Sequence, residues 1–523
     1  MAAYPRLMRT VLKTSFLVCL ALTAPARAED FDLAIRNARI VDGGGGAPVM
    51  GDVLVKGGRI AVVGKAPADA KAARTIDAQG RVLAPGFIDA HAHGEALDAA
   101  QGFENFLAQG VTTIVLGQDG SSPDGVGIEP GAKPVTLAEW FTRLEQTPPP
   151  VNIATLVGFG SVRDESGAPY NGPATRQHIA RFSQLIGKAI AQGAFGASLG
   201  MEYVPMISAT REELQAVAKA VGRHDGVVMS HMRSEDDDKV AAAIDELLAM
   251  GSDTRVHVSH IKVVYGQTAA QGQAVLDQLA AARARGIRVT ADVYPYLASQ
   301  SGLALLFPDW AKVKTDFDIV RKERGNELSD YLYARVMKRG GPKATLMSTK
   351  PYVGMTLEDI SRERRKSFVD VLVNDLGPTG GSAAYFIMSA PTQDVFIKSP
   401  DVMTSTDGSP TMNHPRAYGT FARMIETYVQ KEGLALPLAV KKMSAMTAAV
   451  LKLPDRGQIR AGYKADLVLF DPAKVRETAT WEKPQQLATG FDLVIINGKV
   501  ARENGVTAQS RAGTVLRNIV VSK

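Results

Sequence analysis

Between residues 85 and 450 the chain alternates apolar, strand-like runs with amphipathic helical stretches, and no other feature restricts its fold so strongly. The strand candidates are Phe87–His93, Thr112–Gly117, Val151–Gly160, Ala194–Gly200, Gly226–Met232, Arg255–Lys262, Arg288–Tyr296 and Asp401–Gly408. Helical spacing marks Leu137–Gln146, Arg176–Gln192, Thr210–His224, Asp237–Met250 and Thr268–Arg285. Such alternation builds βαβ units on a parallel sheet. Eight strands point to a closed (β/α)8 TIM barrel rather than to an open doubly wound sheet. The interval from Tyr296 to Asp401 is too long for one crossover. It holds the basic helical segment Lys312–Arg339 and the helix candidate Thr356–Leu376. It reads as an insertion at about 302–400, before the last barrel strand, serving as a lid or pocket wall.

The two ends differ from the middle. Residues 29–84 carry the short strand candidates Phe31–Ile35, Asp52–Lys56 and Arg59–Val63. Residues 451–523 carry Ala465–Phe470 and Leu493–Ile496, then Asn497-Gly498 before Lys499–Ala501, a strong hairpin signal. Together they predict one small β domain built from both termini. At the extreme N-terminus, Arg6, Arg9 and Lys13 precede the apolar run Ser15–Thr23, and Ala26-Arg27-Ala28 supplies a small-x-small cleavage pattern. Residues 1–28 therefore read as a signal peptide, and the mature protein as periplasmic or secreted, without a stable membrane anchor. The only cysteine, Cys19, lies in that segment, so the mature chain has no thiol for a metal or a disulfide. Without those residues the formal charge of +6 falls to +2, and no basic cluster interleaves with aromatics. Nucleic acid is therefore excluded as a partner.

Barrel enzymes carry their chemistry at the C-terminal ends of the strands. Strand 1 ends in His91 and His93, strand 2 in Asp119, strand 5 in His231, strand 6 in His260 and strand 8 in Asp407. Four of only eight histidines thus share one rim with two aspartates, a donor set suited to a metal. Zinc accepts imidazole nitrogen and carboxylate oxygen, and a catalytic site leaves a position for water. Bound zinc lowers the pKa of that water to about 7, so hydroxide is available for attack at neutral pH. A neighbouring carboxylate can take the water proton and pass it to a leaving amine, and Asp407 suits that role. Of the other histidines, His178 and His224 belong to helices, His257 faces the opposite side of its strand from His260, and His414 is a possible pocket residue.

The stretches PGFIDAHAH (85–93), GASLGMEYVP (196–205), SHMRSE (230–235), VSHIK (258–262), ADVYPY (291–296), STDG (405–408), HPRAYGTFARM (414–424) and GYKADLVLFDP (462–472) carry a resemblance. The chain resembles the amidohydrolase superfamily and, within it, the N-acyl-D-amino-acid deacylases, from about residue 31 to residue 502. The resemblance implies a zinc-dependent amide hydrolase on a distorted (β/α)8 barrel with a small β-sandwich, with one or two ions and a small-molecule amide substrate. It implies His91 and His93 on one metal, with Asp407 as catalytic base and ligand, and His231 and His260 on the other. Lys262, Tyr294 and Arg416 would bind the substrate carboxylate and carbonyl. Two departures stand out. Where many members have Gly-Asn-Cys-Gly with a zinc-binding cysteine, this chain has Gly117-Gln118-Asp119-Gly120, so Asp119 is the expected ligand and Glu202 the other candidate bridge. Where members often have Gly-His-Gly, it has Gly158-Phe159-Gly160, and Phe159 either packs or favours a more apolar substrate.

The competing enzymatic readings are a D-dipeptide or cyclic-amide (hydantoin or lactam) hydrolase. The non-catalytic one is a binding protein that keeps the barrel without turnover. A carboxylate anchor at Arg416 favours an acyclic acid.

Overall fold

The computed structural model describes residues 30–97, 102–123, 136–312 and 317–518. Residues 1–28, read above as a signal peptide, and most of the Gly- and Pro-rich stretch 120–134, whose composition predicts a long loop, lie outside the described residues. No helix among the described residues is long and apolar enough to cross a membrane.

Eight parallel strands form the barrel: Phe87–Asp89, Val111–Leu116, Asn152–Thr155 continued by Val157–Gly158, Gly196–Gly200, Val227–His231, Arg255–Val258, Val289–Val293 and Val402–Thr404. Each pairs with the next in chain order, and the eighth pairs with the seventh. The strands are buried on both faces, which is why they read as continuous apolar runs. The distortion has two sources. The third strand breaks at Leu156, and the first and eighth strands meet through a single bridge, Ala92 to Gly408. That seam is held by Asp407 N–H donating to His91 O (2.9 Å) and His93 N–H donating to Gly408 O (2.8 Å). The residues that close the barrel thus include three that carry rim side chains, His91, His93 and Asp407.

Thr136, Thr175, Thr210 and Thr268 each cap a helix of the outer ring through a reciprocal capping box, so the side chains themselves set these starts. Several strand candidates were too long. His91, His93, Phe159, Gly160, His260, Lys262 and Asp407 all lie beyond the last strand residue, in turns or at a helix start. Strand pairing stops where the backbone bends to aim side chains into the rim.

Val82–Pro85 pairs antiparallel with Leu467–Phe470, joining the two ends of the chain into one nine-stranded sheet. Leu33, Ile35, Val53, Leu83, Leu467 and Ile495 share a core there. Asn497 (φ 51°) and Gly498 (φ 80°) form the expected tight hairpin turn. The last described residues leave this sheet. Thr514 O accepts from Ile153 N–H (3.0 Å), placing the tail beside the third barrel strand.

The insertion differs from expectation in content. Ala298–Gly302, Thr345–Met347 and Ser382–Phe386 make a three-stranded antiparallel sheet of its own, over a core that includes Leu306, Leu328, Leu332 and Leu372. These strands are short and rich in Ser and Ala, so they carry no strong alternation. The basic segment is a helix from Phe317 to Lys338, kinked at Arg324. The second candidate breaks at Arg365, whose left-handed backbone (φ 54°) ends the helix Leu357–Arg364. Ala390–Lys398 packs on the ring helix Ala269–Ala284, so it belongs with the barrel.

The eighth strand is anchored from below. Lys442, fully buried at the end of helix Leu436–Lys442, donates through Nζ to Ser399 O and Val402 O. Burial pushes this amine down to about 7, and Asp401 offsets only part of that. An unfolded lysine titrates near ~10.4. Between those values the unfolded chain binds more protons, so this residue makes stability rise with pH from about 7 to 10.4. Wild type is expected to gain stability over Lys442→Met across that window, read by urea unfolding at the two ends.

Candidate metal centre

The six rim residues expected to bind metal converge. His91 Nε2 lies 3.4 Å from Asp119 Oδ1 and 3.7 Å from Asp407 Oδ1. His93 Nε2 lies 3.5 Å from Asp119 Oδ2 and 3.2 Å from Asp407 Oδ1. His260 Nε2 lies 3.4 Å from Asp119 Oδ1 and 3.2 Å from His231 Nδ1. Donor atoms of His91, His93, Asp119 and Asp407 all fall within 4.8 Å of one another, as do those of Asp119, His231 and His260. Asp119 belongs to both groups, so two adjacent nests share one carboxylate. Glu202, the alternative bridge, sits on the outer side of His231 (3.2 Å) in a third group with Glu235.

The donors fit a cation better than they fit each other. His91 Nδ1, His91 Nε2 and Asp119 Oδ1 are buried without any hydrogen-bond partner. Buried polar atoms are normally satisfied, so the facing orphans His91 Nε2 and Asp119 Oδ1, 3.4 Å apart, call for a shared ligand. The electrostatics agree. Burial pulls His93 down, but Asp119 and Asp407 outweigh it and lift the imidazole to about 9. Burial and Lys262 push His260 down, yet Asp407 and Asp119 bring it to about 10. The two aspartates thus draw positive charge into the rim, and a metal ion would satisfy that demand in place of protons.

The backbone is bent to this purpose. Asp119 (φ 52°), His260 (φ 37°) and Asp407 (φ 47°) all occupy the left-handed region, which non-glycine residues rarely adopt. Such conformations persist only where the surroundings enforce them, and they cluster at functional sites. Gly117 (φ 74°) makes the turn to Asp119 possible, since a Cβ there would meet Leu156 O at 2.2 Å.

Beside the nests, Arg416 Nη1 lies 3.0 Å from Asp407 Oδ2, and its guanidinium stacks over the Tyr294 ring at 4.6 Å. Lys262 Nζ donates to Glu235 Oε1 (2.6 Å) and contacts His260 Nδ1 (2.9 Å). The Tyr294 hydroxyl is buried and unpartnered. All three expected substrate residues line one cavity of about 430 Å³ together with His93, Asp119 and Asp407. His414 stays behind that cavity. Its Nδ1 accepts from Arg416 N–H (3.0 Å) and its Nε2 donates to Ala298 O (3.2 Å), which holds the start of the Arg416 helix.

Sequence reasoning missed the supports. Asp89 accepts from His91 N–H (3.1 Å), Thr406 N–H (2.9 Å) and Thr406 Oγ1 (2.5 Å), tying the first strand to the eighth. Asp292 accepts from His260 N–H (2.9 Å), Ser405 Oγ (2.5 Å) and His257 Nε2 (2.5 Å), tying the sixth, seventh and eighth. Both acids stood inside the quoted stretches PGFIDAHAH and ADVYPY. Asp89, a buried acid two residues before a rim histidine, offered a local signal; Asp292 offered none, since its rim partner His260 lies 32 residues away. Phe159 packs: it is fully buried, meets Phe182 edge-on at 5.2 Å and does not line the cavity. Phe159→Ala is expected to cost about 3–5 kcal/mol, read by denaturant unfolding, with no change in substrate preference.

A (β/α)8 barrel whose rim gathers imidazoles and carboxylates beside a cationic anchor defines the class of metal-dependent barrel hydrolases. Residues 370–502 match the amidohydrolase family. D-aminoacylase of Alcaligenes xylosoxydans xylosoxydans is 34% identical over 509 residues, covering 94% of this chain and 98% of that protein. N-acyl-D-aspartate deacylase of the same organism is 33% identical, covering 94% and 96%. The solved structure of N-acyl-D-glutamate deacylase from Bordetella bronchiseptica, complexed with zinc and a phosphonate mimic of the tetrahedral intermediate, superposes with a TM-score of 0.81 at 28% identity over 93% of this chain and 99% of that one. The chain belongs to the amidohydrolase family, in its D-aminoacylase branch, whose members are metal-dependent hydrolases of carbon–nitrogen bonds other than peptide bonds.

Proposed function

We propose that the protein is an exported, zinc-dependent deacylase of N-acyl-D-amino acids. The observation that carries this reading is the meeting of two donor nests with Arg416, Lys262 and Tyr294 in one cavity. His91, His93, Asp119 and Asp407 would hold one ion, and Asp119, His231 and His260 a second. Zinc there would polarise the acyl carbonyl and supply a nucleophilic water at neutral pH.

The chain's own groups do the rest. Arg416 offers its guanidinium to the substrate carboxylate, and Tyr294 and Lys262 donate to the carboxylate and carbonyl. Burial alone would raise Asp407, but Arg416 and His260 hold it well below the usual carboxylate range, so it enters as an anion. A substrate carboxylate on Arg416 relieves that hold and makes Asp407 more basic. It then accepts the water proton and delivers it to the departing amine. Export is supported by the charged start, apolar run and Ala26-Arg27-Ala28 pattern.

The test is metal analysis of the purified protein together with amine release from a panel of N-acyl-D- and N-acyl-L-amino acids. Release of free D-amino acid that stops on exhaustive chelation and returns with zinc supports the proposal. Hydrolysis that survives chelation, or ring opening of hydantoins without amine release, sinks it. N-terminal sequencing of the mature protein from fractionated cells tests export, with a start after Ala28 expected.

A further inference from the structure

The wall of the cavity contributed by the insertion holds a cation the mechanism does not use. Lys262 is paired with Glu235 at 2.6 Å, and Arg416 with Asp407 at 3.0 Å. Arg339 lines the same cavity and is only 3% exposed, yet no carboxylate among the described residues forms an ion pair with it. Its Nε is buried without a hydrogen-bond partner. The side chain is held by Nη1 donating to Tyr265 OH (3.4 Å) and by packing over the Tyr385 ring at 4.8 Å. Glu202 feels its charge, but that carboxylate already faces His231 (3.2 Å) and Arg335 (3.9 Å). Arg335, one turn earlier, is taken by Asp236 at 3.1 Å. Gln300, Ser301 and Ser382 line the cavity with Arg339 and bring no negative charge. Gln300 Oε1 is also buried and unpartnered. Buried charges in proteins are paired or meet a ligand, and a guanidinium fork matches a carboxylate.

Resting on the deacylase reading, we propose that Arg339 is a carboxylate subsite that reads a second anionic group on the substrate. Arg416 takes the α-carboxylate, and Arg339 takes the other. Preferred substrates are therefore dianionic. The second carboxylate comes either from an acidic amino-acid side chain or from the far end of a dicarboxylic acyl group.

The experiment compares kcat/KM of wild type, Arg339→Met and Arg339→Lys on N-acetyl-D-glutamate, N-succinyl-D-leucine and N-acetyl-D-leucine. In wild type at least one dianionic substrate should exceed N-acetyl-D-leucine by about tenfold or more, and whichever does identifies the source. The methionine variant should lose that ratio by about tenfold, through KM rather than kcat, and the lysine variant should keep part of it. An unchanged ratio in the methionine variant overturns the subsite. So does a wild type that hydrolyses only N-acetyl-D-leucine, an outcome that leaves the deacylase reading standing. Hydrolysis of none of the three sinks both. Should the methionine variant fail to fold, thermal melting of zinc-loaded wild type decides. Glutarate should raise the melting temperature where butyrate at the same concentration does not, and equal shifts overturn the proposal.

Discussion

Asp407→Asn is expected to lower kcat by about 10²–10⁴-fold, the range that general acid–base catalysis contributes, while KM changes much less. The substitution isolates the charge. Asn is nearly isosteric and, like Asp, tolerates the left-handed backbone that position 407 adopts at φ 47°. The seam bond from its N–H to His91 O (2.9 Å) is a main-chain bond and survives. Arg416 loses its 3.0 Å partner and becomes freer to bind the substrate carboxylate, so affinity has no reason to fall. Steady-state kinetics on an N-acetyl-D-amino acid, with circular dichroism and zinc content in parallel, make the measurement. A variant within tenfold of wild type would remove Asp407 from proton transfer and leave it as a ligand or turn residue.

The rim was legible because (β/α)8 topology turns distant sequence positions into neighbours. His91 and Asp407 are far apart in the chain, yet they flank the one bridge that closes the barrel. What identified them was polar residues ending apolar runs, and that signal survives errors in strand length. The runs did overshoot: Lys262 and His260 were assigned to a strand that stops at Val258. Sequence pattern does not show where pairing ends and a left-handed turn begins. The insertion's sheet was invisible for the opposite reason. Ala298–Gly302 and Ser382–Phe386 pair with each other across many intervening residues, and neither alternates clearly. Arg339 stood at the end of a segment noted only for being basic. Its isolation from carboxylates is a property of Tyr265 and Tyr385, which come from elsewhere in the chain. Asp89 and Asp292 fared similarly, since a buried acid is recognised by its donors and those lie on other strands.

Asp119→Asn should have an effect as large as that at Asp407, by a different route. Burial alone would raise this carboxyl, but His91 and His260 hold it well below the usual range, so it stands as the anion common to both nests. Asn keeps the shape and the φ 52° backbone and removes only the charge. Changing a residue that merely supports a metal ligand costs on the order of 10–100-fold in affinity or activity. Losing a shared ligand should cost at least about 100-fold in zinc affinity, with at least one ion per chain missing after dialysis and kcat/KM falling in step. Asp119→Cys makes the complementary prediction. A thiolate is a good zinc ligand, so metal content should be retained. Cys, however, has no liking for a left-handed backbone, and the variant should melt below wild type. Full zinc content and full activity in Asp119→Asn would make Asp119 a turn residue. The bridging role would then pass to Glu202, the carboxylate 3.2 Å from His231 Nε2.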